Sequence, residues 1–77
     1  MVKFETGKAY YLHGVAHKRE VTVIKRSAHY VTVTGAYDGR LLVRSGCFGE
    51  FEFLLVPVVA GDNGFKINLF CFAVNAA

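Results

Sequence analysis

The last third of the chain is apolar on both faces of two predicted strands. In residues 51–60 and 65–74, apolar side chains occupy both sets of alternating positions. A strand with one face in water normally alternates apolar and polar residues. Because a chain of 77 residues encloses little interior, we expect this hairpin to form either the central wall of the protein or a surface that a partner covers.

The remaining sequence predicts an all-β protein. Short runs of Val, Thr, Tyr and Phe alternate with Gly-containing turns about every ten residues, and no window shows helical spacing. Short connections make neighbouring strands antiparallel, which favours a small antiparallel meander that forms a barrel or a strongly twisted sheet. The six predicted strands are residues 8–13, 20–26, 30–35, 40–44, 50–60 and 65–74.

The turns predict which residues share a face. A loop of Ser27, Ala28 and His29 keeps the valines of the second and third strands together. A loop of residues 37–39, with Gly39 in a G1 bulge, would pair Val33 with Val43. A slip of one residue would turn the buried set outward. The predicted core face is Val21, Val23, Val31, Val33, Leu41 and Val43.

The opposite face of these strands is predicted to be basic. Residues 13–44 carry a local charge of +4, against −1 for the rest of the chain. Arginines can pair with phosphates and a tyrosine can stack on a base, although Thr and Arg are also ordinary residues of solvated strands. The face comprises Arg26, Tyr30, Thr32, Thr34, Arg40, Leu42 and Arg44, of which Arg26, Tyr30, Arg40 and Arg44 are candidate nucleic-acid-binding residues.

The C-terminal hairpin has a strong turn signal. Asn63-Gly64 is typical of a two-residue type I′ turn, which would place Ala60 opposite Ile67. One face then carries Leu54, Val56, Val58, Ala60, Ile67, Leu69, Cys71 and Ala73. The other carries Phe53, Leu55, Pro57, Val59, Asn68, Phe70, Phe72 and Val74. The candidate protein-interface residues are Phe53, Leu55, Val59, Phe70, Phe72 and Val74.

Pro57 predicts that its strand lies at an edge or carries a bulge, because proline has no N–H to donate. An apolar edge strand invites pairing with another chain. A homodimer formed through the hairpins or a groove for a different protein would cover it. A bulge that lets the barrel close over the hairpin is the remaining alternative.

No catalytic or metal-binding pattern is present. His13 and His17 would converge on a metal only in a helix, whereas they fall in a predicted loop, and the cysteines form no Cys-x-x-Cys pair. Ser27 and Ser45 lack a nucleophile elbow. We therefore expect no enzyme activity, cofactor, metal or small-molecule substrate.

Two further candidates have structural explanations. Glu50 and Glu52 are alternate residues that we expect on the solvated side of an amphipathic strand. Cys47 has no neighbouring base that would lower its thiol pKa.

Composition predicts one folded domain over residues 1–77. The chain is 53% hydrophobic and 19% charged, which excludes intrinsic disorder. The uncharged apolar stretch at residues 53–60 is far shorter than the roughly 20 residues of a membrane-spanning helix. The N-terminus has no apolar signal segment, so we expect a cytoplasmic protein with Cys47 and Cys71 reduced.

Two short motifs resemble those of small uncharacterised proteins from bacterial mobile elements and phages. They are Phe4-Glu5-Thr6-Gly7-Lys8-Ala9-Tyr10 and Val23-Ile24-Lys25-Arg26-Ser27-Ala28, and the likeness covers about the first 55 residues. The resemblance implies an SH3-like β-barrel with an accessory, non-enzymatic role, and permits an inhibitor of a host nucleic-acid enzyme. Our leading hypothesis is a protein-binding module that acts through the C-terminal hairpin; the alternative is nucleic-acid binding.

Overall fold

The protein folds as an all-β sheet. The computed structural model describes residues 1–13, 19–46 and 50–77, with residue 60 described by its backbone alone. Every regular element in these ranges is a strand. The strands are β1 (Ala9–Leu12), β2 (Glu20–Arg26), β3 (Tyr30–Gly35), β4 (Gly39–Leu42), β5 (Arg44–Ser45), β6 (Glu52–Ala60) and β7 (Phe65–Ala76).

The seven strands form one antiparallel sheet in the order β4-β3-β2-β1-β7-β6-β5. The outermost strands, β4 and β5, are separated in the chain by Val43 alone. The sheet must therefore curl until its two edges meet at Val43, which produces a nearly closed barrel of the small SH3-like kind. The predicted all-β barrel is confirmed.

The predicted fourth strand is divided at this closure point. Sequence patterning predicts one strand over residues 40–44, but β4 pairs with β3 while β5 pairs with β6. The Val43 N–H donates to the His29 carbonyl at 2.8 Å, outside either ladder. The division lets one short segment belong to both edges of the sheet.

The interior contains the predicted valine face. Val21, Val23, Val31 and Val33 are buried, and Leu41 and Val43 pack against them while partly exposed. The inner face of the β6–β7 hairpin supplies the opposite wall, as predicted. Two residues outside the predicted core face, Phe4 and Tyr10, complete the core. Their rings meet edge to face with 4.8 Å between the ring centres. The buried residues of the hairpin wall are Leu54, Val56, Val58, Leu69, Cys71 and Ala73.

The predicted register between β3 and β4 is wrong. Val33 pairs with Gly39 rather than with Val43. The Asp38 carboxylate accepts hydrogen bonds from the Thr34 hydroxyl at 2.5 Å and the Gly35 N–H at 3.3 Å, which closes a longer turn than predicted. The shift is an even number of residues, so each side chain of β3 and β4 stays on its predicted face.

The turn of the β6–β7 hairpin also differs from the prediction. Ala60 pairs with Phe65, so residues 61–64 form a four-residue turn. A type I′ turn needs positive φ at both central residues, yet Asn63 has negative φ and only the glycines at 61 and 64 are positive. This shift is again even and preserves the two hairpin faces.

A β-bulge in β2 changes the direction of its last residues. Val23 pairs with Val33, but Lys25 pairs with Thr32 and Arg26 with Val31. One extra residue in β2 reverses the alternation beyond Val23. Arg26 therefore leaves the predicted basic outer face and shares the side of the buried Val31.

The barrel has an open seam along β6. The ladder between β5 and β6 contains only Arg44 with Phe53 and Ser45 with Glu52. Continuing that register into β4 would place Arg40 opposite Pro57, which has no N–H with which to extend the ladder. In the described part of the chain, β6 beyond Phe53 is thus an edge strand, as Pro57 predicts.

Substitution of Gly35 is expected to show how closely β3 and the start of β2 approach. Gly35 has a φ of 118°, and an added Cβ would lie 2.8 Å from the Glu20 carbonyl oxygen. Gly7 has a φ of 89° with nothing within 4 Å of an added Cβ. We expect Gly7→Ala to cost about 1–2 kcal/mol of unfolding free energy from backbone strain alone, and Gly35→Ala to cost clearly more.

Urea denaturation of the two variants checks this expectation. Equal losses of stability in Gly35→Ala and Gly7→Ala would contradict the close backbone approach at Gly35.

Candidate functional site

The outer face of the β6–β7 hairpin brings the predicted interface residues together. Phe53 pairs with Phe72, and Leu55 pairs with Phe70. Val59 lies further along the same face, towards the turn, and Val74 lies towards the C-terminus. We call this surface the outer hairpin face; it comprises Phe53, Leu55, Pro57, Val59, Asn68, Phe70, Phe72 and Val74.

Aromatic rings form the centre of the outer hairpin face. The rings of Phe70 and Phe72 stack at 5.5 Å with an interplanar angle of 7°. The Phe51 ring contacts the Phe72 ring edge to face, with 5.6 Å between the ring centres. The His13 ring, which follows β1, also lies 5.6 Å from the Phe72 ring. The Phe53 ring is 6.0 Å from Phe70 and 6.4 Å from Phe72, and Phe53 is only 5% exposed. Phe53 therefore contributes little exposed area to this face.

The ends of this face are exposed aliphatic side chains. Val59 is 54% exposed and Val74 is 50% exposed, while Leu55 and Pro57 are half-buried. Lys66 is the only charged residue in residues 53–59 and 65–74. The outer hairpin face is consequently an apolar surface with one charge, that of Lys66, at its turn end, while the core cluster takes its hairpin residues from the inner face.

The predicted positions of Arg26 on the basic outer face and of Glu52 in solvent are wrong. Glu52 is 5% exposed rather than solvated. Its carboxylate accepts hydrogen bonds from both terminal nitrogens of Arg26, at 2.6 and 2.8 Å. The Phe4 N–H donates to the same carboxylate at 2.9 Å. Glu50, in contrast, is exposed. The bulge in β2 is what directs Arg26 to Glu52 and away from any phosphate on the outer face.

The hydrogen bonds decide the charge state of Glu52. Burial alone raises the pKa of its carboxyl, but the hydrogen bonds from Arg26 and Phe4 and the positive charge of Arg26 outweigh burial. The pKa of Glu52 is therefore lowered from its ordinary value of 4.5. At neutral pH the pair is fully ionised and links the N-terminal segment, β2 and β6.

On the basic outer face, two of the four predicted nucleic-acid-binding residues, Tyr30 and Arg40, contact each other. The Arg40 guanidinium lies 4.5 Å above the centre of the Tyr30 ring. A shallow cleft of about 140 Å³ lies beside them and is also lined by Lys25, Ser27 and Thr32. Arg44 pairs with Phe53 through β5 and so borders the outer hairpin face instead. Lys25 was not predicted, because nothing in the sequence signals the bulge.

The described residues offer no arrangement for metal or nucleophilic chemistry. Within residues 1–13, 19–46 and 50–77, no three His, Cys, Asp or Glu side chains lie where they could hold a metal ion. Cys71 is a free, buried thiol, and burial raises its pKa to about 12. Ser27 and Ser45 are exposed. His17 and Cys47, considered from the sequence, lie outside the described residues.

The described parts of the chain contain no helix with the length and hydrophobicity that a membrane crossing requires. Comparisons with protein-family models, with curated proteins and with solved structures found no match to this chain. The resemblance to mobile-element proteins therefore stays a prediction.

Replacement of Glu52 should remove an acid-sensitive part of the stability. Since the folded-state pKa is lowered, the Glu52 carboxylate stabilises the fold above about pH 4.5 and loses this effect as the pH falls through its folded-state pKa. We expect Glu52→Gln to reduce the unfolding free energy by about 1.5–3 kcal/mol at pH 7, with the difference from wild type shrinking below pH 4.5.

Chemical denaturation between pH 3 and pH 7 measures this difference. Glu50→Gln is the matched control, because Glu50 is exposed two residues away, and its effect should be small at every pH. A Glu52→Gln deficit that does not change with pH would contradict the assigned ionisation.

Proposed function

We propose that the chain is a non-enzymatic protein-binding module that self-associates through the outer hairpin face. The observation that carries this proposal is the apolar surface on the side of the hairpin that faces away from the core. Fully burying a large aliphatic or aromatic side chain contributes roughly 1.5–3 kcal/mol. The partly exposed Leu55, Val59 and Val74 therefore represent stabilisation that a single copy does not obtain.

A second copy of the chain suits this face for an electrostatic reason. In a two-fold interface each surface patch meets its own equivalent, so charged residues near the axis oppose like charges. The outer hairpin face has Lys66 at one end, and residues 53–59 and 65–74 carry no other charge. Its centre is aromatic, which is also the composition that protein interfaces favour.

Charged substitutions at the exposed valines should prevent self-association. We expect wild-type protein to form a dimer at high concentration, and Val74→Asp or Val59→Asp to weaken it at least tenfold, because a carboxylate would be buried in an apolar contact. Sedimentation equilibrium measures the dissociation constants. Ile24→Asp is the matched control, since Ile24 on β2 is also 54% exposed but lies off this face.

Thermal unfolding of the three variants establishes that each is folded. A wild-type protein that stays monomeric at millimolar concentration, or an Ile24→Asp effect equal to that of Val74→Asp, would exclude self-association through this face.

A second candidate function is supported by the contact between Arg40 and Tyr30. The guanidinium, the tyrosine ring and Lys25 surround one shallow cleft, and such a cleft could hold a phosphate with a base stacked nearby. Lys25 takes the place of Arg26, which pairs with Glu52, but Arg44 borders the outer hairpin face, so the cleft has two cations where the sequence predicts three. For the third hypothesis, inhibition of a host nucleic-acid enzyme, none of the described residues provides support.

The nucleic-acid hypothesis predicts salt-sensitive binding of single-stranded nucleic acid. The double variant Lys25→Glu/Arg40→Glu should abolish retention of a labelled oligonucleotide at low salt, since phosphate contacts dominate such affinity. Lys66→Glu, which also reverses a cation but on a different surface, should have little effect. Fluorescence anisotropy over a salt series measures both, and an absence of binding to wild-type protein at low salt would reject this function.

A further inference from the structure

A groove lies at the open seam of the barrel, separate from the centre of the outer hairpin face. Its walls are the β6 segment from Pro57 to Val59 on one side and the turn that carries Tyr37 on the other. The groove encloses about 610 Å³. This volume falls within the roughly 300–1,000 Å³ typical of ligand sites.

The Tyr37 wall of the groove is fixed by its packing. A Cβ atom on Gly39 would lie 3.1–3.3 Å from atoms of the Tyr37 ring, so the ring rests directly on the glycine backbone. Tyr37 and Ala36 also pack against the core. The aromatic wall is thus preformed, and a ligand would not need to order it.

The other wall offers backbone hydrogen-bonding groups. The β5 ladder ends at Phe53, and proline in an edge strand occupies positions whose N–H would point away from the sheet. Leu55 and Val59 lie two residues to either side of Pro57 and share that direction. The Val59 N–H and the carbonyls of Pro57 and Val59 are therefore positioned to pair with another extended chain.

The groove also carries excess positive charge. Arg19 and Lys66 line it and are exposed, and neither forms an ion pair with another described residue. Among the described residues that line the groove, Asp38 is the only acid, and its carboxylate already accepts hydrogen bonds from Thr34 and Gly35. A ligand with a carboxylate would find two cations available.

We propose that this groove binds a short extended peptide with an acidic side chain, which adds a strand to the free edge of β6. Backbone pairing at a sheet edge supplies affinity in this mode, and side-chain contacts supply selectivity. The aromatic wall would contact an apolar residue of the peptide, while Arg19 and Lys66 would pair with its carboxylate.

Selection from a random 12-residue peptide library displayed on phage, followed by anisotropy with the enriched peptides, tests the proposal. We expect enrichment of peptides that contain Asp or Glu. Lys66→Glu and Arg19→Glu should each weaken binding about tenfold, as expected for a lost charged contact. Lys25→Glu, which makes the same change of charge on the basic outer face, should leave the affinity unchanged.

N-methylation of the peptide backbone tests the strand pairing without altering the protein. Methylation of one alternate set of peptide amides should abolish binding, and methylation of the other set should be tolerated, because only one edge of the added strand faces β6. Equal effects of the two sets, failure to enrich any peptide, or full displacement by millimolar acetate alone would overturn the proposal. Val74→Asp should retain peptide binding, which separates this site from self-association.

Discussion

The buried ion pair between Arg26 and Glu52 is the constraint on which the rest of the structure depends. The two members of the pair and the Phe4 N–H that donates to it come from β2, β6 and the N-terminal segment, which are distant in the chain. A buried carboxylate without its cation and its N–H donor would be costly. Any arrangement of the barrel must therefore keep Phe4, Arg26 and Glu52 together, and this requirement fixes how the N-terminal segment packs against the β5–β6 end of the sheet.

The bulge in β2 is the structural means of forming this pair. It reverses the direction of the residues after Val23, so that Arg26 points towards Glu52 while Lys25 takes a place beside Tyr30. One extra residue thus removes a cation from the outer surface and supplies another. The barrel gains an ionic link near its interior, while the outer surface of β2 to β4 exchanges the Arg26 cation for that of Lys25.

Parity explains why the predicted faces other than that of Arg26 were correct although the β3–β4 and β6–β7 registers were wrong. The hairpin turn and the β3–β4 turn both shift the pairing by an even number of residues, and an even shift leaves every side chain on its face. The two sets of residues that share a face of the hairpin could therefore be predicted from alternation, but which set faces the core could not, because both sets are apolar. Pro57 likewise predicted an edge strand or a bulge, because the missing N–H is a local chemical property, and the structure has the edge.

The sequence by itself determined the strand class, the core valines, the two faces of the C-terminal hairpin and its edge. These follow from side-chain alternation and backbone chemistry, which act between near neighbours. Only the tertiary structure decided the burial of Glu52, the direction of Arg26, the split at Val43 and the groove at the seam. Each of these joins residues far apart in the chain, and a polar residue such as Glu52 carries no local signal of whether a distant arginine will reach it.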